Sequence, residues 1–364
     1  MGRRIGIDLT ACWRVRVGMP TTSIQLTRAM LAQPAEDYEF TLFCSRERPA
    51  GLDGADARAV LSPHRHEIAN KLFWLPAVEP EAGLDVMFYP YWPSPPLRRT
   101  GAPPSLVYVH DLAFRVRPDE VPWQQRLYLG SLLPAALRQA AAVLVPSATT
   151  LHDLLERFPV PGLEGRTFVV PQASGLVGLQ PGPLPDDLEP GFILAVGTVE
   201  PRKNYARLLA AHRRLRERGA VPPLVVAGRV GWAYGTVLRD LERDPRVRLL
   251  GHVDDATLVA LYRAAGLLAF PSLYEGFGLP LLEAMQEGLP ALVGDAGSLP
   301  ELAGNAALVV DPADVDAIAT GLERLLTDQA LRAELRDRGR ARAAGFTWEA
   351  AGRRTLELLD AVPA

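Results

Sequence analysis

Residues 192–229, FILAVGTVEPRKNYARLLAAHRRLRERGAVPPLVVAGR, decide the fold. FILAVGT is an apolar run with no polar alternation, the pattern of a strand buried on both faces. YARLLAAHRRLRERG follows at helical spacing, and PLVVAGR is a second buried strand. Downstream, GTVLRDLERD, ATLVALYRAAG and LPLLEAMQEG read as helices. They alternate with strands at VRLLGHV, LLAFPS, PALVGD and ALVVDP. Such alternation predicts an open, doubly wound parallel sheet. DVDAIATGLERLLTDQALRAELRDRGRARAAG is helical in period throughout, and WEAAGRRTLELLDAV predicts a final amphipathic helix.

Upstream the same pattern occurs once more. IGIDLTA, FTLFCS, VMFYPYW, SLVYVHDLAF and AAVLVPSA read as strands, with helices at TTSIQLTRAMLAQ and LYLGSLLPAALRQA. The Pro/Gly-rich stretch from Gly178 to Gly191, GLQPGPLPDDLEPG, separates the two series. The expected organisation is a first α/β domain over 1–178, a linker over 179–190, a second α/β domain over 191–345 and a closing helix over 346–364. Two such domains predict a cleft, with ligands at the carboxyl ends of the strands.

Composition narrows the function classes. The chain has 364 residues, 48% hydrophobic and 22% charged, which is globular rather than disordered or membrane-spanning. MGRRIGIDLTAC is basic at its start, but its apolar run is broken by Asp8, so no signal peptide or membrane span is expected. Cys12 and Cys44 are too few for a disulfide framework or a structural zinc site, which predicts a cytoplasmic protein. Residues 1–178 carry 18 basic against 17 acidic side chains and the remainder 21 against 25, so a nucleic-acid partner is not expected. Only Lys71 and Lys203 are lysines among 39 basic residues. A lysine kept in so arginine-biased a chain points to a site that needs a compact ammonium.

Two segments carry the chemistry. In FPSLYEGFGLPLLEAMQEGLP, Phe270–Pro290, a strand ends near Pro271 and a loop carries Glu275. Gly276 and Gly278 flank Phe277, and a helix opens at Leu279–Pro280. Glycines let backbone N–H groups approach a ligand, and the helix start presents its positive end, an arrangement suited to phosphate. Glu283, seven residues beyond Glu275 and expected in the first helical turn, could accept hydrogen bonds from ribose hydroxyls. The alternative is that the glycines shape a turn and Glu283 complements the helix dipole. The second segment, AVGTVEPRKNYARLL, places Gly197 after a strand and Arg202-Lys203-Asn204 before a helix. A cationic pair there can neutralise a diphosphate leaving group; a solvated basic turn is the alternative.

Together, VGTVEPRKN, LVVAG, LLGHV and FPSLYEGFGLPLLEAMQEGLP resemble the retaining glycosyltransferases of family 4, which have the GT-B fold. Glu275 and Glu283 match the family's E-x7-E signature, and FTWEAAGRRTLELL is similar to its closing helix, which packs back on the first domain. The resemblance implies a metal-independent hexosyltransferase that takes a sugar from a nucleotide-diphosphate donor to an acceptor hydroxyl with retention. It further implies a role in polysaccharide or glycoconjugate synthesis, with a tilt toward mannosyl or rhamnosyl donors. Lys203 and Arg202 would face the diphosphate, the backbone of Gly276, Phe277, Gly278 and Leu279 its distal phosphate, Glu283 the ribose and Glu275 the transferred sugar. His252 would lie in the base-binding loop. His110, in YVHDLAF, would stand near the anomeric carbon on the acceptor side, though a lone His after a strand is more often structural.

Three departures concern this pattern. Thr198 stands where the family often has Arg, so one phosphate contact is expected to be either missing or passed to Arg202. The loop expected to be glycine-rich, RVGMPTTSIQL, has Gly18 alone. PQASG stands where Asn-Gly is usual. Trp74, Phe88, Tyr91 and Trp92 could wall an acceptor site or meet a lipid carrier, with core packing the commoner role. A glycan or lipid-linked acceptor and peripheral contact with the inner membrane face follow as expectations. The rival readings are a nucleotide-sugar epimerase or phosphorylase on the same fold, and a nucleotide-binding subunit without turnover.

Overall fold

The computed structural model describes residues 2–12, 18–33, 37–91, 93–232 and 235–363. The chain divides into two compact units. The first comprises Met1–Val116, Trp123–Gly175 and Phe346–Ala364, and the second Arg117–Pro122 and Leu176–Gly345.

In the first unit, β1 (Arg3–Leu9), β2 (Tyr38–Ser45), β3 (Arg58–Ser62), β4 (Val86–Tyr89), β5 (Ser105–Tyr108), β6 (Ala142–Val145) and β7 (Thr167–Val169) pair in parallel among the described residues. Their order is β3-β2-β1-β4-β5-β6-β7. Ile5, Ile7 and Leu9 of β1 are wholly buried, as are Val86 and Phe88 of β4. β3 and β7 are absent from the strand pattern in the sequence. Both are short edge strands, of five and three residues.

Helix Trp348–Asp360 lies in this unit, as the closing helix was expected to. It joins the core through Leu356, Leu358 and Leu359, against Leu26 and Met30 of helix Met19–Leu31. Gly352 makes the close approach possible, since a Cβ there would stand 2.8 Å from the Ala29 carbonyl carbon. Thr347 Oγ1 caps the helix from Ala350 N at 3.2 Å, and Trp348 Nε1 donates to Ser174 O at 3.0 Å. Each buried leucine contributes about 1.5–3 kcal/mol.

In the second unit, β8 (Ile193–Val196), β9 (Leu224–Ala227), β10 (Val247–Gly251), β11 (Leu267–Phe270), β12 (Ala291–Gly294) and β13 (Leu308–Val310) pair in parallel, in the order β10-β9-β8-β11-β12-β13. The long helical stretch after β13 is two helices, Val315–Thr327 and Gln329–Ala343. Asp328 breaks it by accepting from Leu331 N at 2.9 Å, a side-chain cap that periodicity does not register. The Pro/Gly-rich segment is tied to this unit, with Gly182 N donating to Ala256 O at 2.8 Å and Asp187 pairing with Arg248 at 2.8 Å.

Two doubly wound parallel sheets give the α/β architecture that the alternation predicts. Each sheet reverses chain order once, between β1 and β4 and between β8 and β11. Crevices at the carboxyl ends of strands open at such reversals.

Candidate functional site: the reversal between β8 and β11

Beyond β8, Gly197 holds φ 135°, where a Cβ would crowd the Lys203 side chain at 3.3 Å. Its carbonyl accepts from Tyr205 Oη at 2.8 Å. Pro201–Lys203 form one 3-10 turn, closed by Asn204 in the left-handed region at φ 62°. Asn204 is buried, and its Nδ2 donates to Pro271 O at 2.9 Å and Pro312 O at 2.7 Å. One amide thereby fixes the Arg202-Lys203 turn against the ends of β11 and β13.

Glu275 enters from the loop after β11. Its Oε1 lies 2.5 Å from Lys203 Nζ and its Oε2 2.8 Å from Arg202 Nη1. Arg202 Nε pairs with Glu200 at 2.5 Å, and Lys203 Nζ also stands 4.9 Å from the centre of the Phe270 ring. Burial alone would raise the Glu275 pKa, but Lys203 and Arg202 outweigh it and hold the carboxyl down at about 2. Lys203 shares its single carboxylate with Arg202, so burial and the neighbouring guanidinium push its own pKa below the ordinary lysine value. Two cations and two carboxylates form one compact cluster, neutral by formal charge.

The Gly276–Gly278 loop is pinned from below. Ser298 N donates to Glu275 O at 3.1 Å, and Ser298 Oγ lies 3.0 Å from that oxygen and 2.8 Å from Phe277 O. Gly297 has φ 59°, and a Cβ on it would meet Glu275 O at 2.6 Å. Gly278, at φ 107°, is the N-cap of helix Leu279–Glu287, and no side chain caps it. Pro280 has no N–H, so this helix end offers the N–H groups of Gly278 and Leu279 for an anion.

Glu283 does not lie in the first turn. It is the fifth residue of the helix, and at 3.6 residues per turn a helix that opens at Leu279 puts it in the second turn, just past the dipole's reach. Tyr262 Oη donates to Glu283 Oε2 at 2.8 Å, and burial raises the Glu283 pKa to about 7. Thr198 is half-buried beside Gly231, and His252 is exposed beyond β10, the edge strand.

The remaining expected residues belong to the first unit. His110 is buried, with Nε2 donating to Pro90 O at 2.7 Å and Nδ1 accepting from Gln172 Nε2 at 2.9 Å. Burial lowers its pKa to about 4, so the ring is neutral with both nitrogens engaged. Gly18, at φ 66°, caps helix Met19–Leu31, and the rest of its loop, residues 13–17, lies outside the described residues. Phe88 is a core residue and Trp74 packs edge-on against Phe43 at 6.0 Å; Trp92 also lies outside the described residues. Sequence reasoning missed Glu200, Asn204, Tyr262, Gly297 and Ser298. Asn204 was visible in RKN as a residue that tolerates the left-handed region; the others act only through the tertiary structure.

Two doubly wound sheets, the second with cations and a glycine-capped helix at its reversal, define the GT-B class of architecture. The chain belongs to the group 1 glycosyl transferases, whose family model matches residues 180–342. O-antigen chain mannosyltransferase B of Escherichia coli is 35% identical over 250 residues, covering 66% of each chain. The MMP alpha-(1->4)-mannosyltransferase of Mycolicibacterium hassiacum is 32% identical over 229 residues, 61% of this chain and 54% of that one. The chain thus spans about two thirds of the first relative's length and about half of the second's. Among solved structures, sucrose-phosphate synthase from Thermosynechococcus elongatus superposes with a TM-score of 0.74 at 22% identity, over 98% of each chain. Anabaena HepE in complex with UDP-glucose also gives 0.74, at 16% identity over 98% of this chain and 99% of that one. These two likenesses concern the fold.

Proposed function

We propose that the protein transfers a hexose, mannose foremost, from a nucleotide-diphosphate donor to a glycan hydroxyl, with retention and without a metal ion, in the synthesis of a surface polysaccharide or glycoconjugate. The observation that carries this reading is Glu275, held between Lys203 and Arg202 beside the Gly278-capped helix. The mannosyltransferase names of the relatives favour mannose, and the UDP-glucose complex of HepE is an example of such a donor on this fold.

In this reading the diphosphate lies against Lys203, Arg202 and the N–H groups of Gly278 and Leu279. Thr198 adds a hydroxyl beside it, and Glu283 and the loop of His252 take the ribose and base. The acceptor oxygen bonds to the anomeric carbon as the carbon–phosphate oxygen bond breaks. The acceptor's proton passes to the departing phosphate oxygen, on the same face of the sugar. Two fixed cations and the helix end stabilise the charge that develops there. Glu275 orients both cations and receives hydroxyls of the moving sugar. His110, neutral and fixed, shapes the acceptor side rather than exchanging a proton.

The test is transfer from GDP-mannose, and from other nucleotide sugars, to mannobiose in excess EDTA, followed by NMR of the new linkage. A product with the donor's anomeric configuration is expected. An inverted linkage, activity only on adding Mg²⁺ or Mn²⁺, or epimerised sugar without acceptor would each overturn the reading.

A further inference from the structure

The helical segment Glu67–Val78 is turned inside out. Its three runs, Glu67–Ala69, π-helical Asn70–Trp74 and Leu75–Val78, follow one another without a break. Asn70 and Lys71 are wholly buried, while Ile68 is 53% exposed, Leu72 39% and Phe73 69%. A surface helix in water buries its apolar residues and shows its polar ones to solvent. Here that order is reversed. π-Helical bonding runs from i to i+5, and at spacings of four and five residues Ile68, Leu72 and Phe73 fall on one side.

The inward polar groups hold the segment in this setting. Lys71 Nζ is paired with Asp8 at the carboxyl end of β1 and donates to Tyr91 O, just past β4, at 3.1 Å. It also stands 5.3 Å from the centre of the Tyr89 ring. Asp8 Oδ1 accepts in turn from Thr10 N at 2.9 Å and from Thr10 Oγ1 at 2.7 Å. Asn70 Nδ2 donates to Ser45 Oγ at 2.7 Å, and Asn70 Oδ1 accepts from Ser62 Oγ at 2.5 Å. The segment is thereby tied to the ends of β1, β2, β3 and β4. Folding stability does not account for the choice, because apolar residues in place of a buried ion pair are often neutral or stabilising. What the arrangement secures is an apolar face held outward, at the end of the sheet where the β1–β4 reversal opens its crevice.

The rim of that face is basic. His64, Arg65 and His66 are exposed directly before the segment. Arg46, also exposed, is joined to it through its N–H, which donates to Ser62 O at 3.1 Å. Its φ of 59° is a left-handed setting that is costly for a residue with a side chain. Against these cations, Glu67 is half-buried, and Glu47 beside Arg46 is exposed. Apolar side chains framed by arginine have the chemistry of a surface that enters the interface of an anionic bilayer. A second copy fits less well, since a two-fold contact would set the same arginine rim against itself.

We infer that Ile68, Leu72 and Phe73 insert into the surface of a bilayer bearing anionic phospholipid, with Arg65 and Arg46 on its headgroups. This goes beyond the transferase reading and does not depend on it: the crevice end of the first unit is brought to a membrane, whatever that crevice binds. The test is flotation of the full-length protein with vesicles of phosphatidylcholine alone and of phosphatidylcholine with phosphatidylglycerol, without donor or acceptor. The wild type should bind the phosphatidylglycerol vesicles, about tenfold more tightly than the neutral ones. Ile68→Ser/Phe73→Ser should weaken that binding at least about tenfold, and Arg65→Glu about tenfold. Both variants should keep the wild-type melting temperature, because the replaced side chains are exposed. No binding of the wild type to either vesicle, equal affinity for the two compositions, or equal binding by wild type and Ile68→Ser/Phe73→Ser would overturn the inference. A dimer in solution that Ile68→Ser/Phe73→Ser dissolves would overturn it too, since a second copy would then cover the face.

Discussion

The two glutamates of the E-x7-E pair sit in opposite electrostatic environments. Glu275 meets two cations and stays ionised, while for Glu283 burial outweighs the hydrogen bond from the Tyr262 phenol and raises the pKa from 4.5 to about 7. For Glu283 the unfolded chain releases its proton near pH 4.5 and the folded chain only near 7, so the wild type loses stability as pH rises between those values. The shift is worth at most about 3 kcal/mol. Glu283→Gln should therefore exceed the wild type in urea stability by under about 1 kcal/mol at pH 5 and by a gap that widens toward pH 8. A gap independent of pH would mean that Glu283 is ionised in the fold throughout. Glu275 has the reverse sign: its contribution is present above pH 4.5 and is lost as pH falls toward 2.

At the scale of elements, the turn before helix Tyr205–Arg218 depends on Asn204. Asn204→Ala removes both amide bonds, leaves the Pro271 and Pro312 carbonyls buried without that donor, and puts a Cβ residue without local hydrogen bonding at positive φ. The expected loss is about 2–4 kcal/mol in urea unfolding, with Asn204→Gly recovering only the backbone part. Equal stability of wild type and Asn204→Ala would show that the turn holds itself. The helices and central strands were legible because their apolar periods are long. The edge strands β3 and β7 were not, since five and three residues are too few to set a period. The site divides in the same way. Lys203, Arg202, Glu275 and the glycine loop stood out as local patterns. That Glu275 is the counterion of both cations, and that Ser298 and Gly297 hold the loop, depends on side chains over 20 positions apart, which no local window reads. The distinction between the two glutamates was equally hidden, because Tyr262 comes from another helix.

At the scale of the molecule, the chain repeats one design: a doubly wound sheet with a lysine–carboxylate pair at its reversal, once in each unit. Among the described residues no helix is long and apolar enough to cross a membrane. Cys12 and Cys44 are buried free thiols, and burial raises the pKa of both. The groups able to ligate a metal that were found among the described residues, His152, Asp153 and Glu156, share a helix of the first unit rather than the β8–β11 reversal. In the proposed reaction Lys203 and Arg202 take the charge of the donor diphosphate in place of a metal. The most direct test is calorimetric titration of GDP and UDP into wild type and Lys203→Ala in excess EDTA. One of the two nucleotides should bind the wild type under chelation and bind Lys203→Ala about ten- to a hundredfold more weakly. Equal affinity for the two proteins, or wild-type binding that appears only when Mg²⁺ is restored, would contradict it.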